Sequence, residues 1–326
     1  MPVGQKAGRL VAVVVTYNRL DQLKITLQQV LAADPADLAM VLVVDNASTD
    51  DTAIWLAQQA DPRLSVLRSA TNGGGAGGFE AGMRHAVAKF DPDWLVVMDD
   101  DARPYAGCLA RFQSGDRSSA EAWAAAVYHP DGRICDMNRP SINPFWHGAV
   151  LRKTLLGGGR DGFHLGAPDY ASAEARDVDG ASFVGLFVSR AAIERVGYPD
   201  GRLFLYGDDV LYTLGLRAAG GRIRFDPELR FEHDFNTMSD ADRRFRPLWK
   251  TYYHYRNLLM VYRMAAGAWF WLALPGAGLK WLFKLRYHSG ERVRFTALVL
   301  RALRDGVLRR TDVSHAQVVD WATKKD

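Results

Sequence analysis

The sequence predicts an α/β fold: a doubly wound sheet over residues 1–245, followed by a helical, basic and amphipathic extension over 246–326. Three observations predict it. Valine-rich apolar runs, too continuous for half-exposed strands, alternate with segments of helical spacing. The ends of those runs carry acidic, polar or glycine-rich turns, where open α/β sheets collect ligands. Beyond residue 245 the pattern changes to aromatic and basic residues without strand-like alternation.

The elements follow in order. Leu10–Val15 reads as a strand covered on both faces, and Leu20–Ala33 as a helix with Leu20, Leu23, Leu27, Val30 and Leu31 on one side. Met40–Val44 is a second buried strand. The Ser/Thr/Asp-rich turn after it suits a cap for a helix over Thr52–Ala60. Leu64–Leu67, Phe79–Phe90 and Trp94–Met98 continue the strand, helix, strand alternation. Asp116–Asp179, irregular and rich in Gly, Pro and aromatics, reads as loops and short strands over the site. Ala181–Val188 reads as a further strand, and Gly207–Gly220 holds a helix opening just after Asp208-Asp209.

Composition excludes several classes. Cys108 and Cys135 form neither a metal-type nor a redox-type spacing, which fits a reducing cytoplasm. No signal peptide is expected at the N-terminus. The net charge of +4 hides an asymmetry: Lys280–Arg310 carries nine Lys/Arg against Glu291 and Asp305, a local +7. Aromatics such as Trp281, Phe283 and Tyr287 interleave with these cations. The apolar run Ala265–Leu279 is short, bounded by Arg263 and Lys280, and contains Pro275. It reads as an interfacial segment on an anionic membrane surface, with a solvated helical subdomain as the alternative. Nucleic acid is not an expected partner, because the basic tail lacks an aromatic stacking module.

The candidate chemistry begins at Asp99-Asp100-Asp101, three carboxylates closing the run from Trp94. Adjacent carboxylates repel one another, which favours a bound cation over a merely polar strand-to-loop turn. Alternation along a strand points Asp99 and Asp101 the same way, a hook for Mg²⁺ or Mn²⁺. Asn72-Gly-Gly-Gly-Ala-Gly-Gly78 reads as a flexible loop before a helix, either a surface turn or an anion cradle. Gly73, Gly75 and Gly78 match a dinucleotide fingerprint, but not after the first strand, which disfavours a nicotinamide dehydrogenase. Asp45 can accept hydrogen bonds from a ribose or base, or cap a helix. Asp208 and Asp209 suit an orienting acid beside a general base, or an acidic first helical turn. His233 ends a short strand and can ligate a metal or simply be hydrogen-bonded.

Taken together, Val13-Val-Val-Thr-Tyr-Asn-Arg19, Val43-Val-Asp-Asn-Ala-Ser-Thr-Asp50, Met98-Asp-Asp-Asp101 and Leu205-Tyr-Gly-Asp-Asp209 resemble family 2 glycosyltransferases of the GT-A fold. The likeness covers residues 10–260 and implies a Rossmann-like mixed sheet. Asn72–Met83, the triple Asp and Tyr252-Tyr-His-Tyr-Arg-Asn257 are similar to bacterial galactofuranosyltransferases; rhamnosyltransferases share the last stretch.

The resemblance implies a metal-dependent inverting transfer from a UDP-sugar, with UDP-galactofuranose favoured over dTDP-rhamnose. The acceptor would be a glycan or glycolipid, and the protein would be peripheral on the inner face of the cell membrane. It places Thr16, Arg19 and Asp45 at the uridine, and Asn72, Gly73, Gly74 and Gly77 around the nucleotide sugar. Asp100 would sit near ribose or sugar. Asp99, Asp101 and His233 would hold Mn²⁺ or Mg²⁺, and Asp209 would be the base with Asp208 supporting it. Leu211 departs from the Glu often found two residues after the base, which bears on acceptor or sugar specificity. A non-catalytic nucleotide-binding or membrane-scaffold protein is the competing class, against which the intact acid pairs argue.

Overall fold

A computed structural model of the chain describes residues 7–235 and 244–324. Its first half runs β1 (Leu10–Thr16), α1 (Leu20–Leu31), β2 (Met40–Asp45), α2 (Thr52–Ala57), β3 (Leu64–Arg68), α3 (Gly74–Phe90), β4 (Trp94–Asp99), β5 (Ala102–Pro104), α4 (Cys108–Ser114) and β6 (Ala122–Tyr128). Then come α5 (Gly148–Lys153), α6 (Ala167–Tyr170), β7 (Arg176–Val178), β8 (Leu186–Ser189), α7 (Arg190–Val196), α8 (Asp208–Ala218) and β9 (Ile223–His233). Four helices close the chain: α9 (Lys250–Ala266), α10 (Phe270–Leu282), α11 (Arg292–Leu308) and α12 (His315–Thr323).

The strands form one mixed sheet in the order β3-β2-β1-β4-β8-β6-β9-β5, with β7 also on β9. The first four strands are parallel; β8 runs antiparallel to β4 and β6. Two apolar layers cover its faces. Phe79, Met83, Ala86, Tyr212 and Leu216 pack on one face, and Leu23, Leu27, Val30, Leu109 and Phe112 on the other. This is the doubly wound arrangement that unbroken Val runs require, because both faces of β1, β2 and β4 are dry. Register fixes the site. Thr16 lies opposite Asp45, Val15 opposite Asp99, and Ala102 opposite His233, so these carboxyl ends open on one edge of the sheet.

Several boundaries differ from the sequence reading, each for a physical reason. Ala122–Tyr128 is an interior strand within the stretch read as irregular; its alanines carry little strand propensity, and pairing with β8 and β9 decides the outcome. The run from Ala181 becomes a strand only at Leu186, because Gly185 adopts φ +70°. Helix α3 starts at Gly74, inside the glycine run. Helix α8 includes Asp208 and Asp209 as its first residues, and α2 stops at Ala57.

The C-terminal helices have a core of their own, in which Tyr252, Tyr255 and Leu259 of α9 meet Phe295, Leu298 and Val299 of α11. Among the described residues, one helical stretch, Lys250–Tyr287, is apolar and long enough by composition to cross a membrane. It is not one rod, because Gly267 breaks it at φ +54°. Helix α10, with 13 residues, is about 20 Å long, short of the roughly 30 Å hydrocarbon layer.

Candidate active site

The triple Asp divides by geometry. Asp100 turns inward: its Oδ2 accepts from the Thr16 hydroxyl at 2.8 Å, and its Oδ1 lies 3.2 Å from Arg19 Nη1. Its backbone carbonyl accepts from the Thr26 hydroxyl at 2.6 Å. Thr16 and Arg19, expected at the uridine, are thus both engaged with Asp100, and Arg19 also reaches Asp101 Oδ2 at 2.8 Å. Asp99, Asp101 and His233 form the other group, with one ligand atom from each lying within 4.8 Å of the others.

Electrostatics describes a site short of positive charge. Burial, then the charges of Asp101, Asp100 and Asp208, push Asp99 well above the ordinary carboxyl range. Burial raises Asp100 to about 7 despite Arg19. Burial also pushes Asp101 upward, but the hydrogen bonds and charges of His233 and Arg19 outweigh it and hold Asp101 low. Arg19 itself is stabilised as a cation by Asp100 and Asp101 against the cost of its burial.

His233 tests whether a metal fits. Its Nδ1 is 2.8 Å from Asn138 Oδ1, and Asn138 Nδ2 donates to Ser182 Oγ at 2.9 Å. The amide oxygen only accepts, so Nδ1 is the donor there, and Nε2 is the nitrogen left to meet a metal or, when protonated, Asp101. Nε2 faces Asp101 Oδ1 at 3.2 Å. Two acceptors at that separation need a cation or a proton between them. Two carboxylates and one imidazole, with the imidazole oriented from behind, suit Mn²⁺ or Mg²⁺. Asn138 was absent from the sequence-derived site, since nothing local marks it.

The acid pair opens α8. A turn with unusual backbone precedes it: Phe204, Tyr206 and Gly207 adopt φ +68°, +70° and +78°. Helix α9 holds this turn. Asn257 Nδ2 donates to the carbonyls of Leu203, Leu205 and Tyr206 at 3.1, 2.9 and 2.8 Å. The fully buried Arg256 donates to the Leu203 carbonyl at 2.8 Å. Burial and its neighbour raise Asp208 to about 8, whereas burial raises Asp209 to about 6. Asp208 is close enough to Asp99 to raise it, which ties the acid pair to the triple Asp.

Asp45 is buried, with Oδ1 accepting from the Ser48 amide at 2.9 Å. Its Oδ2 has no hydrogen-bond partner; Arg68 Nε stays 3.5 Å away. The glycine run is less free than its composition suggests. Asn72 Oδ1 accepts from the Gly74 amide at 2.8 Å, and Asn46 Nδ2 donates to Asn72 Oδ1 and the Gly74 carbonyl at 3.1 and 2.7 Å. Gly74 has φ +71°, and any Cβ there would strike the Phe204 carbonyl. That carbonyl also accepts from the Ala76 amide at 3.2 Å. Gly78 lets α3 approach Val15 closely. Gly73 and Gly77 face one another, and Gly77 lies near the Gly201 carbonyl.

The mixed sheet between its two layers of helices is a GT-A fold, to which the C-terminal helices are an extension. A mannosyltransferase from Pyrobaculum calidifontis, solved with GDP-Man and Mn²⁺, superposes with a TM-score of 0.54 at 16% identity, covering 95% of this chain and 90% of that one. Residues 11–132 match the model of glycosyl transferase family 2. The galactofuranosyltransferase GlfT1 of Mycolicibacterium smegmatis is 33% identical over 202 residues, 61% of this chain and 62% of that protein. An undecaprenyl-phosphate mannosyltransferase of Micrococcus luteus is 29% identical over 173 residues, 52% of this chain and 70% of that protein. The chain thus matches about three-fifths of the GlfT1 length. Residues 11–132 match the family 2 glycosyl transferase model, in a chain that resembles galactofuranosyltransferases.

Proposed function

We propose that the chain is a metal-dependent, inverting hexosyltransferase that moves galactofuranose from UDP-galactofuranose onto a lipid-linked or cell-surface glycan. The convergence of Asp99, Asp101 and His233 beside the Asp208-Asp209 pair carries this reading. Mn²⁺ or Mg²⁺, held by those three residues, would neutralise the diphosphate leaving group. Asp45 would accept from the uridine through Oδ2, which has Arg68 nearby but no hydrogen-bond donor, and Asn72, Gly73, Gly74 and Gly77 would line the pocket of the nucleotide sugar. Asp100 would stand at its ribose or sugar end, with Thr16 and Arg19 fixing it.

Asp209 takes the proton from the acceptor hydroxyl as it attacks the face opposite the diphosphate. With a value near 6 it is mostly ionised at neutral pH, while Asp208, near 8, is mostly protonated. Inversion follows from one displacement without a covalent protein intermediate. A lipid-linked acceptor would place the protein on the inner membrane face, with the extension of 246–326 on anionic lipid.

A donor screen with Mn²⁺, following nucleotide release, tests the assignment. Turnover of UDP-galactofuranose supports it. Turnover of dTDP-rhamnose alone would replace the donor, and UDP binding with no turnover of any donor would favour the non-catalytic scaffold.

A further inference from the structure

Among the described residues, exposed large apolar side chains gather in two patches relevant to the site. One lies in the segment between β6 and β7: Phe145 and Trp146 before α5, and Leu155 and Leu156 after it, the leucines 74% and 79% exposed. The other lies on and beside α10, where Trp269, Trp271, Leu272 and Phe283 project; Leu272 is 74% and Phe283 71% exposed. The patches are joined, because Asn143 Nδ2 donates to the Ala265 carbonyl at 3.0 Å, tying the base of the first to the end of α9 just before the second. One helical turn back, Val261 packs against Gly207, which immediately precedes Asp208. This chain of contacts connects the bases of both patches to the turn before the acid pair.

Charge identifies what covers them. The chain has 37 acidic residues, yet none occurs from Met137 to Arg160 or from Arg244 to Gly290. Arg152 and Lys153 are exposed beside the first patch, and Lys280 and Arg286 beside the second. Exposed Trp, Phe and Leu rimmed by cations, with carboxylates excluded, match the headgroup layer of an anionic bilayer. A soluble partner gives no reason for two separate acid-free stretches.

We infer that Phe145–Leu156 and α10 form one bipartite docking face for an anionic phospholipid surface, holding the acid pair toward a lipid-linked acceptor. This rests on the membrane-facing reading above and adds a second contact from the catalytic domain itself. Two anchors side by side fix orientation, whereas a single amphipathic tail leaves the domain free to turn.

Co-sedimentation of the full chain with phosphatidylglycerol/phosphatidylcholine vesicles tests it, with thermal melting to check folding. The wild type is expected on anionic vesicles and not on pure phosphatidylcholine. The variant W146S/L155S/L156S is expected to lose about tenfold in partitioning, as is W271S/L272S, and R152E/K153E should weaken binding without touching apolar surface. Wild-type partitioning in the insertion variants, with loss only in the α10 variant, overturns the second contact and leaves the tail as sole anchor. No binding by the wild type overturns the membrane reading as a whole. A concentration-dependent dimer abolished by W146S/L155S/L156S would assign the patch to a second copy of the chain instead.

Discussion

Nδ1 of His233 lies 2.8 Å from Oδ1 of Asn138, a bond buried between β9 and the start of the segment that follows β6. Asn138 is thereby what keeps Nε2 aimed at Asp101. Replacing Asn138 by Ala should leave His233 free to rotate and change tautomer. Mn²⁺ affinity is expected to fall about 10- to 100-fold, the usual loss when the partner behind a ligating imidazole is removed. Titration calorimetry with Mn²⁺ checks it; unchanged affinity would place the metal elsewhere. His233→Ala should lose more, and EDTA should silence the wild type reversibly.

Asp209 and Asp208 should separate kinetically. Asp209→Asn is expected to abolish transfer while UDP binding persists, because the substitution removes the proton acceptor and keeps the shape. A base works only when ionised, so kcat/KM should fall as pH drops through about 6 and level off above neutrality. A flat profile from pH 5 to 8, or near-normal turnover by Asp209→Asn, would reject this residue as base.

Asp208 should reveal itself in stability. Its folded value is about 8 against an unfolded value near 4. Between those values the folded state retains a proton that the unfolded chain releases, so this group makes the metal-free protein less stable as pH rises through that window. Asp208→Asn removes the penalty. Without metal it should raise Tm more at pH 8 than at pH 5, with a difference of roughly 1–3 kcal/mol in unfolding free energy. Equal shifts at both pH values would mean that Asp208 is not charged at a cost.

The sheet was legible because β1, β2 and β4 announce themselves by apolar continuity, and their carboxyl ends by Asp45 and Asp99–Asp101. What escaped depended on contacts far apart in sequence. Ala122–Tyr128 has four alanines that dilute the strand signal of Trp123, Val127 and Tyr128, and lying between β8 and β9 decides its conformation. Asn138 is an ordinary asparagine until folding sets it beside His233, and Asn257, in sequence only the end of the Tyr252–Asn257 stretch, gains its role beside the turn from Leu203 to Tyr206. The glycine run was read as a loop because its composition says flexibility. Two of its members instead serve close packing, Gly74 under Phe204 and Gly78 against Val15. Interleaved cations and aromatics in the C-terminal region predict a helical segment, surface-lying or a solvated subdomain, and that α9 and α11 build a core depends on their packing.

That core bears on the proposed reaction through Asn257. Its side-chain amide reaches three carbonyls of the turn that presents Asp208 and Asp209. Phe204 and Tyr206 hold left-handed backbone conformations there, which for such bulky residues cost about 1–3 kcal/mol each unless the surroundings impose them. Removing the amide lets the turn relax and moves the start of α8. Asn257→Ala is therefore expected to lower kcat by about 10²-fold, the scale set by a displacement of roughly 1 Å in a catalytic group. KM for the donor and Mn²⁺ affinity should stay near wild type, because Asp45 and the metal group stand on other elements. Asn257→Asp would be a sharper probe, since its carboxylate places negative charge against the same carbonyls and should cost at least as much. A parallel loss of kcat and donor binding in Asn257→Ala would instead mean general unfolding, which a melting curve run beside the kinetics identifies.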